Sequence, residues 1–147
     1  MAIRQAEAHW RIGELQKAVS LLRGSIGEQN AEISPIVRAE ADYCLGLIAR
    51  EESSLLPERP LMYFRRALSM IESEHVSEIS WKLSYALATE YARRGNREKA
   101  LEYFLNSKVI IEYFAGKLFL GNFRDLYLAS EGRNEVLEEV AAYAVER

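Results

Sequence analysis

Acid–base and nucleophilic catalysis near neutral pH most often begin with an imidazole, and this chain of 147 residues has two, His9 and His75. They lie far apart, and neither has a nucleophile or a metal-ligating neighbour at useful spacing. His9 sits at an inter-helix position of an amphipathic run and reads as structural. His75 ends the polar run Glu72-Ser73-Glu74-His75 and reads as a solvated linker residue. The one thiol, Cys44, lies in Tyr43-Cys44-Leu45-Gly46-Leu47, where it reads as a small core residue. The only aspartates, Asp42 and Asp125, are remote from each other, so no carboxylate pair for acid–base work stands out. The glutamates are scattered along helical runs, often three or four positions from an arginine or lysine, as on solvent-facing helices. There is no zinc spacing of Cys and His, no glycine-rich phosphate loop and no His-Glu-x-x-His. The expectation is a chain with no catalytic residues, no metal and no cofactor: not an enzyme.

Charge narrows the remaining classes. A formal net charge of −3 and a pI near 5.5 oppose a strong grip on nucleic acid, which needs a basic surface. The pairs Arg65–Arg66 and Arg93–Arg94 could form local basic patches but read as solvated helix faces. No apolar stretch approaches the roughly 20 residues a membrane-spanning helix needs. The start, Met-Ala-Ile-Arg-Gln-Ala-Glu, is amphipathic and lacks the apolar segment of a secretory signal. A cytoplasmic protein with no membrane contact is expected.

The elements that would position any site are helical. Hydrophobic residues make up 49% of the chain, while glycine (8) and proline (3) are sparse, which favours long helices over a many-stranded sheet. Apolar residues recur at helical spacing almost throughout. Eight helices are expected, over about 2–12, 14–25, 35–51, 60–73, 77–94, 97–115, 118–130 and from Gly132-Arg133-Asn134 to near the end. Ser34-Pro35 provides a capping hydroxyl followed by proline at the first helical position. The segment Ser53 to Pro60 is the one clear loop. Short turns between consecutive helices force antiparallel neighbours, so the helices pair as hairpins.

The pairs repeat. The clearest unit runs from Trp81 to Phe114, with Leu87-Ala88, Tyr91, Gly95, Ala100, Phe104 and Ser107. Small residues at 88 and 100 let the two helices approach, while Leu87, Tyr91 and Phe104 fill the space between them. Gly95 can take the positive φ that ends the first helix. This pattern resembles the tetratricopeptide repeat, whose motif places a large and a small residue, an aromatic, a turn glycine, an alanine and a second aromatic at these offsets. A second unit aligns through Leu45-Gly46, Ala49, Pro60, Phe64 and Ala67-Leu68, with proline where the family prefers alanine. A first unit aligns through Ala6, His9, Gly13, Lys17-Ala18 and Leu22, with Gln5 and His9 departing from the family's apolar and aromatic residues. The alanine position falls at 18, 60 and 100, separations of 42 and 40 residues, longer than the family's 34. Longer repeats of this kind resemble those of kinesin light chains and of bacterial regulators of the MalT and Rap type.

The resemblance implies one all-α domain over 1–147, a right-handed superhelical stack of antiparallel helical hairpins. Its repeats would be about 1–34, 35–76 and 77–115, with a degenerate capping hairpin over 117–147. It implies a protein-binding module that holds a peptide or helix in a concave groove. The family's groove positions fall on Glu7, Trp10 and Arg11 in the first unit, Tyr43, Leu47 and Arg50 in the second, and Lys82, Tyr85, Thr89 and Arg93 in the third. Members that clamp a chaperone's C-terminal carboxylate use positions that here hold Ile3, Glu7, Cys44, Lys82 and Ala86. Only the lysine matches, which disfavours that ligand. The chain begins abruptly inside the first repeat, as expected of a segment of a longer bacterial regulatory or signalling protein. Two other functions are open. One is self-association into a homo-oligomer through the N-terminal edge and Phe119, Leu120 and Phe123. The other is RNA binding of the pentatricopeptide kind, which the net acidity opposes.

Overall fold

A computed structural model describes residues 14–27, 34–53, 56, 58–72, 76–118 and 122–146, except for the side chains of 15 and 25–27. Among these residues there are seven α-helices and no strand. The chain divides between His75 and Val76 into two compact units. The helix expected over 2–12 lies outside the described residues, as do His9 and His75.

The first unit contains α1 (Leu15–Gly27), α2 (Pro35–Glu51) and α3 (Pro60–Ile71). Ser34 caps α2, its hydroxyl accepting from the Ile36 N–H at 3.3 Å, and Pro35 follows in the first turn. Pro60 likewise opens α3, where the missing N–H would have had no intrahelical partner. Ala41, Cys44, Leu45, Ile48 and Ala49 form an apolar stripe on α2, and they pack with Ala18, Val19 and Leu22 of α1 and Tyr63 of α3. The α2–α3 crossing is close at Gly46. A Cβ added there would lie 2.5, 2.8 and 2.9 Å from ring atoms of the fully buried Phe64. Glycine is therefore required at 46 by packing rather than by backbone angle.

The second unit contains α4 (Glu78–Arg93), α5 (Arg97–Gly116), α6 (Phe123–Ala129) and α7 (Arg133–Val145). Gly95 has φ +75°, and the Asn96 N–H donates to the Tyr91 carbonyl at 2.9 Å, which closes the end of α4. The Asn96 side chain accepts from the Lys99 N–H at 3.2 Å and starts α5 at once. Ala88 and Ala100 are fully buried, with Trp81, Leu87, Tyr91, Phe104 and Ser107 around them. Asn106 donates to the fully buried Ser84 hydroxyl at 2.8 Å and ties the two helices by a polar contact as well. Helix α7 packs against α5 and buries Val136 and Val140, and its Tyr143 ring lies 4.8 Å from that of Phe104.

Helix ends agree with the sequence reading within about two residues, except at α6. A helix was expected over 118–130, but α6 is seven residues long, starts at Phe123 and buries no residue. Asn122 makes no side-chain capping bond there, and residues 119–121 of the expected helix lie outside the described residues.

Candidate functional site

In the first unit the groove residues inferred from the sequence fall on one side of α2. Tyr43, Leu47 and Arg50 are spaced i, i+4, i+7 and each is half-buried. Phe64 forms the floor beneath Tyr43 and Arg50. The Tyr43 ring lies 6.0 Å from it, tilted by 46°, and the Arg50 guanidinium lies 5.2 Å from its centroid. Gly46 makes this shelf possible by letting Phe64 press against the α2 backbone. Glu7, Trp10 and Arg11 lie outside the described residues.

In the second unit Lys82, Tyr85, Thr89 and Arg93 share one side of α4, but the chain itself occupies part of it. Lys82 pairs with Glu131 at 3.1 Å and lies 5.8 Å from the Trp81 ring centroid. The Tyr85 hydroxyl donates to Glu139 of α7, and its ring packs 6.0 Å from Phe104. The Thr89 hydroxyl donates to the Tyr85 carbonyl at 3.0 Å, a local helix contact. Arg93 is exposed and reaches Glu90 at 3.4 Å. The face is thus engaged at Lys82 by Glu131 in the turn before α7, at Tyr85 by α7 itself, and is exposed at Arg93.

Two polar clusters were not anticipated. In the first unit the fully buried Asp42 accepts two bonds from Arg66, from Nε at 2.9 Å and from a terminal nitrogen at 2.6 Å. This fork geometry holds the α2–α3 pair in one register. The hydrogen bond to Asp42 and the nearby carboxylates raise the Arg66 pKa against the opposing effect of burial. Of the pair read as a solvated face, Arg65 is exposed and Arg66 is half-buried on Asp42.

In the second unit Glu78 of α4 gathers three donors: Trp81 Nε1 at 2.8 Å, the Tyr127 hydroxyl at 2.7 Å and Arg133 at 2.8 Å. Arg133 is buried and also donates to the carbonyls of Tyr127 and Ser130, both at 3.0 Å. Its guanidinium lies 4.0 Å from the Tyr127 ring centroid and 5.5 Å from that of Trp81. Partial burial pushes Glu78 upward, but the bonds from Arg133, Tyr127 and Trp81 outweigh it and hold the carboxyl below its ordinary value. Burial first, and then the Glu78 carboxylate, push the Tyr127 phenol up to about 12. Burial lowers Arg133, and the bond and charge of Glu78 more than offset it. This cluster fastens α6 and the start of α7 to α4. Its groups are neutralised by one another and leave no activated nucleophile or base.

Among the described residues no group of three His, Cys, Asp or Glu side chains could hold a metal ion, and no helix is long and apolar enough to cross a membrane. Cys44 is buried in the α2 core. No protein-family model, curated protein or solved structure matches the chain.

Proposed function

We propose that this chain is a tetratricopeptide-like stack of helical hairpins that binds another protein and performs no catalysis. In this reading the hairpins continue one another in a right-handed superhelix, and the chain is part of a larger regulatory or signalling protein. Its ligand is an extended peptide or an amphipathic helix. The observation that carries the proposal is the shelf of Tyr43, Leu47 and Arg50 over Phe64. Aromatic and arginine side chains on a preformed apolar floor are the composition of binding hot spots. Half-burial restricts their rotamers before a partner arrives, which lowers the entropy cost of binding. An apolar ligand group would meet Leu47.

The test is selection of peptides from a random displayed library on the immobilised chain, followed by titration of the winners. Peptides should bind the native chain and lose at least tenfold in affinity to a Tyr43→Ala/Arg50→Ala variant whose far-ultraviolet circular dichroism is unchanged. Binding that ignores this double substitution would refute the shelf. The substitutions are made in the first unit, where Tyr43 and Arg50 both lie against the Phe64 ring.

A further inference from the structure

Helix α4 offers one open stripe. Between Ile79 and Tyr91 every residue is buried except Lys82, Tyr85 and Thr89, and half-buried Glu78 extends the same line by one turn. The terminal hairpin of α6 and α7 meets this stripe turn by turn with the opposite chemistry. Arg133 and the Tyr127 hydroxyl donate to Glu78, Glu131 pairs with Lys82 at 3.1 Å, and Glu139 accepts from the Tyr85 hydroxyl. One short segment, 127–139, thus occupies three turns of the stripe. Net charge follows the same division. Residues 76–122 carry seven Lys or Arg and five Asp or Glu, whereas residues 123–147 carry three and six. An acidic hairpin lies on a helix pair with a basic excess.

What holds the hairpin in place is thin. Helix α6 buries no residue, and α7 buries three, Arg133, Val136 and Val140. The Tyr143 ring adds its contact with Phe104, and Arg97 of α5 donates to the Tyr143 carbonyl at 3.4 Å. Helix α4, by contrast, buries ten of its sixteen residues. Few buried apolar contacts, with bonds between partly exposed groups, mark a segment that opens before the rest of its unit.

We infer that α6–α7 is a displaceable lid over α4. The hairpin opens while α4 and α5 stay folded, and the uncovered stripe takes an acidic helix or peptide of another protein. Carboxylates of that partner replace Glu131 on Lys82 and Glu139 on the Tyr85 hydroxyl. The lid is then an internal competitor, and it lowers the partner's apparent affinity in proportion to the small fraction of chains that are open. That the stripe receives a protein rests on the binding role proposed above; that the hairpin opens does not.

Two measurements on the whole chain test this. In native-state hydrogen exchange, the amides of α7 should be at least tenfold less protected than those of α4 between Leu83 and Tyr91, through an opening that leaves α4 and α5 closed. Exchange of both helices through one common opening overturns the lid. For binding, the probe is a fluorescently labelled synthetic peptide of residues 123–147, read by anisotropy. A Glu131→Gln/Glu139→Gln variant should bind it at least tenfold more tightly than the native chain, and adding Lys82→Glu should cancel that gain. Both glutamates are exposed, so their replacement leaves the packing intact, which circular dichroism checks. Equal or undetectable binding by both chains, or binding indifferent to Lys82→Glu, overturns the competition. So does a glutamine variant that dimerises without peptide in sedimentation velocity, because the occupant is then a second copy of the chain. Neither measurement involves the α2 shelf, so the lid and the shelf fail separately.

Discussion

Replacing Gly46 by alanine should destabilise the first unit even though alanine is the better helix former. The methyl group would lie 2.5 Å from the nearest ring atom of Phe64, with two more ring atoms at 2.8 and 2.9 Å. Carbon atoms in contact prefer about 3.5–4.0 Å, so the ring must withdraw by about 1 Å. It has little room to do so, being fully buried with Tyr43 at 6.0 Å and Arg50 at 5.2 Å. Overpacking a core costs about 1–3 kcal/mol, and a clash with an enclosed aromatic ring belongs near the top of that range. The gain in helix propensity on replacing glycine returns about 1 kcal/mol. The net loss is therefore about 2 kcal/mol. Urea denaturation followed by circular dichroism should show a lower midpoint with an unchanged slope. Phe64→Leu, which makes space for the methyl, should rescue part of the loss. The double variant should then be more stable than the sum of the single effects by about 1 kcal/mol. A neutral or stabilising Gly46→Ala, or strict additivity with Phe64→Leu, would refute this account of the α2–α3 crossing.

The Asp42–Arg66 pair should respond asymmetrically. Arg66→Met strands a fully buried carboxylate and should cost about 3 kcal/mol, whereas Asp42→Asn leaves an arginine that is 40% exposed and near Glu58, and should cost about 1 kcal/mol. Urea midpoints in the opposite order would contradict the assigned burial. In the second unit, the raised Tyr127 pKa means that the folded state favours the neutral phenol. Its contribution to stability is complete below the unfolded value of about 10 and is lost as pH rises through about 12. Ultraviolet difference titration should show a late-ionising tyrosine whose contribution disappears in Tyr127→Phe. Glu78 has the opposite sign: its depressed pKa contributes stability above about pH 4.3 that is lost as pH falls through the lower folded value. Trp81 fluorescence in a Trp10→Phe background should report that acid step, and Glu78→Gln should remove it.

The helices were legible because their ends are written locally. Ser34-Pro35, Pro60, Gly95-Asn96 and Gly132 each act within a residue or two of their own position, and the structure uses all four at helix ends. Burial at Ala88, Ala100 and Phe104 was legible from helical spacing for the same reason. What escaped notice are contacts between residues distant in the chain. Asp42 and Arg66 are 24 positions apart, and Glu78 and Arg133 are 55 apart. Neither separation leaves a periodic trace, so Arg66 read as solvated and Arg133 as part of a turn. The short α6 was drawn too long because the apolar residues Phe123, Leu126 and Leu128 continue the helical spacing of the preceding segment, yet Phe123 and Leu126 are exposed. Apolar character shows where a side chain could be buried, not whether another element arrives to cover it.

The 55-residue reach from Glu78 to Arg133 also imposes an order on assembly during synthesis. Helices α4 and α5 are joined by the three residues Arg94, Gly95 and Asn96 and can close as soon as α5 has emerged, since short loops cost little entropy to close. The ribosome adds about 5–20 residues per second, so Arg133 follows Glu78 by roughly 3–11 s. Throughout that interval the Trp81 indole and the Glu78 carboxylate have no guanidinium to cover them. The nascent hairpin therefore presents an aromatic, acidic face to its surroundings before the chain supplies its own partner for it.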